Sequence, residues 1–271
     1  MNIIKWLERQ RICYTLRHHP ISFDLWKAVI QKLELLHDLS SVEKARLREL
    51  ATLFLRRKTI TATHGLQITD EMIVVIAAQA ALPILNLGLD YYNGWVEVIL
   101  YPRAFRVNRD NVDQNGLISS ETHILSGESW LRGPVILSWE DVEHHLHAPY
   151  QGHNVVIHEF AHKLDMLNGR ANGMPPLHPH MKITQWTEAL SAAYDVLQQQ
   201  VAHQRRTQIN AYAATTPAEF FAVVSEYFFS APDILKHYCP EVYQQLTQFY
   251  RQDPCLRGKQ VGIFSTTENQ S

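Results

Sequence analysis

His158, Glu159 and His162 stand inside "HNVVIHEFAHKLD" (153–165), a run that is otherwise mostly apolar. On a helix, positions i and i+4 lie one above the other on the same face, so both imidazoles can address one ion. Glu159 projects about 100° further round the helix. From there a carboxylate reaches water at the ion without ligating the ion itself. Neutral imidazole is a good zinc ligand, and zinc draws the pKa of water it holds down to about 7. A carboxylate beside that water can take its proton and pass it to a leaving amine. This HExxH spacing therefore predicts two metal ligands and a general base. The plain alternative is two histidines falling four apart by chance in a chain with 15 of them. Chance would more often put them on an exposed or broken segment than inside an apolar helix.

HExxH supplies two ligands, and a hydrolytic zinc site needs a third while keeping one position open. The extended pattern HExxHxxGxxH is absent, because Asp165 stands where its glycine belongs and Asn168 where its third histidine belongs. Asp165, three residues past His162, is in reach to support a ligand histidine. The third ligand is expected further along, in "AYAATTPAEFFAVVSEYFFSAP" (211–232). Glu219 and Glu226 sit there among phenylalanines and valines, where an unpaired carboxylate is costly. They are seven apart and share a helix face. Thr216, Pro217 and Glu219 also make a good helix start, so Glu219 reads equally as a capping carboxylate. Patterning leaves both glutamates open.

The elements that must position these groups are mostly helical. "SFDLWKAVIQKLELL" (22–36) and "SVEKARLRELATLFLRR" (41–57) repeat apolar residues at helical spacing, with Ser22 and Ser40 or Ser41 as N-caps. "KTITATHGLQIT" (58–69) turns β-branched around a glycine, a hairpin signal. "DEMIVVIAAQAALPIL" (70–85) predicts a buried helix ending or kinking near Pro83. Strands are expected over 94–102, 104–108, 115–124 and 133–139, and a helix from "WEDVEHHL". Helical blocks follow over 153–168, 182–204 and 216–230, then two shorter helices up to Tyr250 and a polar tail over 256–271. On the helix of 153–168, Asn154 is a candidate cap, and Val156, Phe160, Leu164 and Leu167 trace the core side. Strands in the middle with helices on either side predict an α+β fold. Residues 1–255 read as one domain, with a helical part over 1–57, a mixed part over 58–150 and a helical metal-binding part over 151–255.

Composition narrows the class of function. The chain has 271 residues, 46% hydrophobic and 19% charged, which suits a globular core. With 25 basic and 27 acidic residues, net charge −2, it lacks the basic footprint of a nucleic-acid binder. Cys13, Cys239 and Cys255 form no CxxC pair, which favours a reducing compartment, the cytoplasm. Lys5, Glu8 and Arg9 interrupt the apolar residues of the N-terminal stretch, so no secretory leader is expected, and no run approaches the length of a membrane span. "EHHLH" (143–147) and "HPH" (178–180) lack ligand spacing on a buried helix and read as exposed loop histidines. His153 lies off the ligand face and reads as the start of its helix, and "GLDYYNG" reads as a turn.

Beyond the motif, the chain resembles the Mlc titration factor A (MtfA) family, gluzincin-type zinc metallopeptidases. The likeness is carried by "GLQITDEMIVVIAAQAALPIL", "VILYPRAF", "SGESWLRGPVILSW", "GHNVVIHEFAHKLDMLNG" and "AYAATTPAEFFAVVSEYFFSAP", and covers most of the chain, residues 20 to 250. The resemblance implies a zincin-like fold, a small twisted sheet packed with the HExxH helix. It implies one Zn²⁺ per chain, with the glutamate of the PAE triplet, Glu219, as third ligand. The catalytic centre is similar to that of anthrax lethal factor, where a tyrosine seven residues before the ligand glutamate assists; here that is Tyr212. Glu226 then becomes a candidate to orient a ligand histidine. The resemblance implies aminopeptidase-like cleavage of short peptides. It also implies, as a partner, an Mlc-type transcriptional repressor linked to glucose uptake. The alternative is a regulatory protein that mainly binds such a repressor and carries a structural or regulatory zinc. Glu159 weighs against that, because structural zinc takes four ligands and needs no base.

Overall fold

In a computed structural model, residues 3–103, 105–112, 118–125, 127–129, 133–147 and 152–257 are described. The first elements are α1 (Ile3–His18), α2 (Phe23–Lys32), α3 (Ser41–Arg57), β1 (Thr59–Ala62) and α4 (Asp70–Ala81). Then come β2 (Glu97–Tyr101), β3 (Phe105–Val112), β4 (Ile118–Leu125), β5 (Gly127–Ser129) and β6 (Val135–Ser138). The chain continues with α5 (Trp139–His147), α6 (Val155–Asp165), α7 (Ile183–Ala202), α8 (Pro217–Ser230), α9 (Pro232–Tyr238), α10 (Pro240–Tyr250) and α11 (Pro254–Arg257). Strands flanked by helices make the class α+β.

The sheet is small, in the order β1-β2-β6-β5. β1, β2 and β6 run parallel, and β5 closes the edge antiparallel to β6. β3 and β4 form a separate antiparallel pair. Parallel strands need a crossover, and α4 is the one between β1 and β2. The expected hairpin over 58–69 is therefore not formed. His64 (φ 53°) and Gly65 (φ 76°) turn the chain out of the sheet after four strand residues. Thr69 then caps α4, its side chain accepting from the Met72 amide. The glycine marked a strand exit, not the tip of a hairpin.

Helix ends follow their caps. Ser22 caps α2, and Ser40 forms a full capping box with Glu43 on α3. α4 ends at Ala81, just before Pro83. α6 lies against α4, α8, β5 and β6. Its core side carries Phe160, fully buried, with ring centroids 5.6 Å from Phe54, 5.1 Å from Tyr92 and 5.7 Å from Trp95. Val156 and Leu164 share that side. Leu167 does not: the helix tightens to a 3₁₀ turn over Met166–Asn168, which carries Leu167 out to solvent.

Two histidine tracts also depart from expectation. His145 lies on α5 and is half-buried, not in an exposed loop. His178 is buried, with Nε2 2.8 Å from the Phe249 carbonyl and its ring stacked on Phe249, and burial lowers its pKa. Among the described residues, no helix is long and apolar enough to cross a membrane.

Candidate metal centre

Asn154 starts α6 and joins three helices. Its Oδ1 accepts from the Ile157 amide at 2.9 Å, which caps α6. Its Nδ2 donates to Gln79 Oε1 of α4 at 2.6 Å, and its backbone amide donates to Glu226 Oε2 of α8. Just before it, Gly152 has φ +70°, and a Cβ there would sit 2.3 Å from the Tyr227 ring. Glycine is thus required both by the backbone angle and by the close approach of α8.

α6 and α8 run in opposite directions. The start of α6 meets Glu226, while His158 and His162 meet Glu219, seven residues earlier on α8. His158 Nε2 is 3.1 Å from Glu219 Oε2, His162 Nε2 is 3.4 Å from it, and the two Nε2 atoms are 3.2 Å apart. Ligands at about 2.0–2.2 Å from a tetrahedral zinc are separated by about 3.3–3.6 Å, close to this triangle. His158, His162 and Glu219 are the one metal-holding group found among the described residues.

The chemistry of the donor set fits a cation. Glu226 Oε1 lies 2.8 Å from His158 Nδ1. A carboxylate accepts, so Nδ1 carries a proton, and Nε2 is the nitrogen left facing His162 and Glu219. Glu219 Oε2 is buried and makes no aligned hydrogen bond, despite both imidazoles beside it. Nor does its carboxylate close a capping box: Thr216 caps α8 by accepting from the Glu219 amide, while no reciprocal bond is made. Three carboxylates, Glu159, Glu219 and Glu226, face two imidazoles, a surplus of negative charge that suits a divalent ion.

These charges shift one another. Burial would lower the His158 pKa, but contacts with Glu219 and Glu226 raise it well above the usual histidine range. Burial would raise the Glu219 carboxyl, but His158 and His162 hold it well below the usual carboxylate range. Glu159 is buried, and desolvation pushes it up to about 7 against the pull of both histidines. Its Oε2 has no hydrogen-bond partner. A carboxylate that changes protonation near neutrality is suited to take and return a proton.

Tyr212 lies in a 3₁₀ turn, Ala211–Ala214, with its ring centroid 6.2 Å from that of His158. Partial burial and the nearby Glu219 and Glu159 carboxylates raise its pKa, so the phenol stays protonated. Asp165 is fully buried but does not bond an imidazole in this arrangement: Oδ2 accepts from the Gly173 amide at 2.8 Å. Gly173 in turn lies against α8, where a Cβ would sit 2.5 Å from the Pro217 carbonyl oxygen. Asp165 thus supports the start of the helix that carries Glu219. Burial raises its pKa to about 6.

Two residues at the site escape a reading by motif. Lys163, buried next to His162, donates from Nζ to the Gly133 carbonyl at 2.9 Å, and burial lowers its pKa to about 8. A lysine inside an apolar helix was the available signal. Asn210 accepts from the Tyr212 amide through Oδ1 at 2.9 Å. An asparagine opening a turn is a signal of that kind, though a weak one.

The family model for glucose-regulated metallo-peptidase M90 matches residues 4–251. Curated relatives agree over most of the chain. Mlc titration factor A of Salmonella arizonae is 42% identical over 236 residues, covering 86% of this chain and 92% of the relative. The protein of the same name from Klebsiella pneumoniae is 40% identical over 241 residues, covering 88% and 89%. That of Escherichia fergusonii is 41% identical over 228 residues, covering 83% and 85%.

Proposed function

The chain belongs to the Mlc titration factor A family of M90 metallopeptidases, and from that premise we propose that it is a zincin-like, gluzincin-type zinc peptidase acting on short peptides. The observation that carries this reading is the convergence of His158 Nε2, His162 Nε2 and the buried, unbonded Glu219 Oε2 beside a carboxylate with raised pKa. His158, His162 and Glu219 would hold one Zn²⁺ per chain. Zinc, when bound, supplies a Lewis acid that polarises a carbonyl and brings water's pKa towards about 7. Glu159 takes the proton from the attacking water and returns it to the leaving amine. The Tyr212 hydroxyl donates to the oxygen on which charge develops. Glu226 keeps the His158 proton on Nδ1. Residues 1–255 are read as one metallopeptidase domain.

We assign the cleavage as aminopeptidase-like. Peptides with a free amino end should be cut, and their N-acetylated forms should resist, measured by chromatography of the products. The central test joins metal content to turnover. Glu159→Gln should keep stoichiometric zinc and lose about 10²–10⁴-fold in kcat. Full activity in a zinc-loaded Glu159→Gln protein would exclude the mechanism. In parallel, Glu219→Ala should lose zinc; loss confined to Glu226→Ala would reassign the third ligand.

The relatives' name carries a second reading, that the chain binds a repressor of the Mlc type. This role is compatible with catalysis. A pull-down with such a repressor should succeed equally with wild type and Glu159→Gln, and failure with folded protein would count against it. The sparse, unpaired thiols favour the cytoplasm as the place of action.

A further inference from the structure

We propose that Asn210 is a positioning residue that aims Tyr212 at the metal centre, using His153 and His145 as its backing. The proposal rests on the role assigned above to Tyr212 and names what enforces it.

Tyr212 needs such a device. Its side chain is 48% exposed, so packing alone holds it weakly. Its turn is only four residues long. The turn is tied at both ends by hydrogen bonds. At the back, the Thr215 hydroxyl donates to the Tyr212 carbonyl at 2.8 Å, and the Thr215 amide donates to the same oxygen at 3.1 Å. At the front, Asn210 Oδ1 accepts from the Tyr212 amide at 2.9 Å, and the Asn210 carbonyl accepts from the Ala213 amide at 3.0 Å.

The front tie is anchored to the metal-binding helix. A backbone amide can only donate, so the Asn210 oxygen must face Tyr212 and its nitrogen must face away. That nitrogen lies 3.3 Å from His153 Nε2, to which it donates. His153 is the residue before the α6 cap and five before His158. The His153 ring stacks at 16° on His145 of α5, with centroids 6.3 Å apart. The Asn210 amide thus spans two elements: one end sets the tyrosine, the other reads the position of the helix that carries His158 and His162. His145 of α5 takes part in this arrangement as the wall behind His153.

An alternative is that Asn210 merely stabilises a surface turn. The two accounts differ in what the loss of Asn210 does once Tyr212 is already disabled. Kinetics on a short peptide and hydrogen exchange at the Tyr212 amide should be measured for the full-length, zinc-loaded protein. The variants are Asn210→Ala, Asn210→Asp, Tyr212→Phe and the Asn210→Ala/Tyr212→Phe double. Zinc content and thermal unfolding accompany each. Tyr212→Phe should lower kcat about 100-fold, the scale of one oxyanion donor. Asn210→Ala should lower kcat about tenfold with KM and zinc content unchanged, a misplacement effect. It should also speed exchange of the Tyr212 amide about tenfold, with or without zinc, because that amide loses its acceptor. Asn210→Asp keeps the acceptor, so amide protection should be restored, with kcat between the two. In the double variant the Asn210 effect on kcat should vanish, because both residues act on one interaction.

Additive losses in the double variant would overturn the proposal. So would wild-type kcat, or an unchanged Tyr212 amide, in folded Asn210→Ala. Wild-type kcat in Tyr212→Phe would instead overturn the role given to Tyr212, and this proposal with it. A wild-type protein that holds zinc yet cuts no peptide would overturn the peptidase reading, while amide exchange would still report whether Asn210 orders the turn.

Discussion

Glu226 touches no metal position, yet it determines which nitrogen of His158 is available to one. Its Oε1 accepts from the protonated Nδ1, and its Oε2 accepts from the amide of Asn154. Without it, the His158 ring can rotate or exchange tautomers, and α6 loses a tie at its first turn. Glu226→Ala should therefore weaken zinc binding about 10–100-fold without abolishing it, measured by competition with a chelator. Glu219→Ala should be far more severe, since it would remove the proposed third ligand. The two glutamates lie seven residues apart on α8, which explains why they cannot exchange roles. At 1.5 Å per residue they stand about 10 Å apart along α8. Only one can meet the histidine pair.

At the scale of elements, the centre depends on how α4, α6 and α8 are tied. Ser40 and Asn154 are both helix caps, but only Asn154 is buried and bonded to a second helix. Ser40→Ala should cost about 1 kcal/mol, the ordinary loss of an exposed cap. Asn154→Ala should cost about 2–4 kcal/mol, because it also leaves Gln79 buried without its partner. Urea unfolding of the two variants would separate them; equal costs would mean the tie to Gln79 contributes nothing. Gly173 argues the same way for α8. A methyl there meets the Pro217 backbone and sits at φ +78°. Gly173→Ala should displace the start of α8, lowering both stability and zinc affinity, whereas a variant that loses stability alone would show that Glu219 tolerates the shift.

Across the whole molecule, metal binding and folding are linked through protons. The Glu159 carboxyl has a folded pKa raised from 4.5 to about 7, and His158 is also raised. For a raised group the stabilising contribution is complete below the unfolded value and is lost as pH rises through the folded one. The metal-free fold should thus weaken from about pH 4.5 to about 7 as Glu159 ionises, and further from about 6.5 upward as His158 loses its proton. Zinc replaces those protons, and its affinity grows as the ligands deprotonate. The gain in Tm on adding zinc should be larger at about pH 8 than at about pH 5.5. A gain independent of pH would mean these groups do not titrate with folding.

The helix of 153–165, its caps and the facing of His158 and His162 were legible because helical periodicity is local: residues four apart share a face whatever surrounds them. Glu219 and Glu226 were legible as a pair for the same reason, and family resemblance, not spacing, distinguished them. Residues 58–69 were misread because a glycine turn looks alike in a hairpin and at a strand exit; the partner strand, some forty residues on, decides between them. His178 and His145 were misread as exposed, since short histidine tracts carry no periodicity from which burial can be inferred. Local sequence determined the helices, the place of Glu159 beside the histidine pair and the apolar faces to be buried. Tertiary structure decided what crosses between elements: that α8 runs opposite to α6, that Glu219 meets both histidines while Glu226 meets only one, and that Asn210 lies between Tyr212 and His153. Those distances are set by the packing of side chains far apart in the chain, and no spacing along one element encodes them.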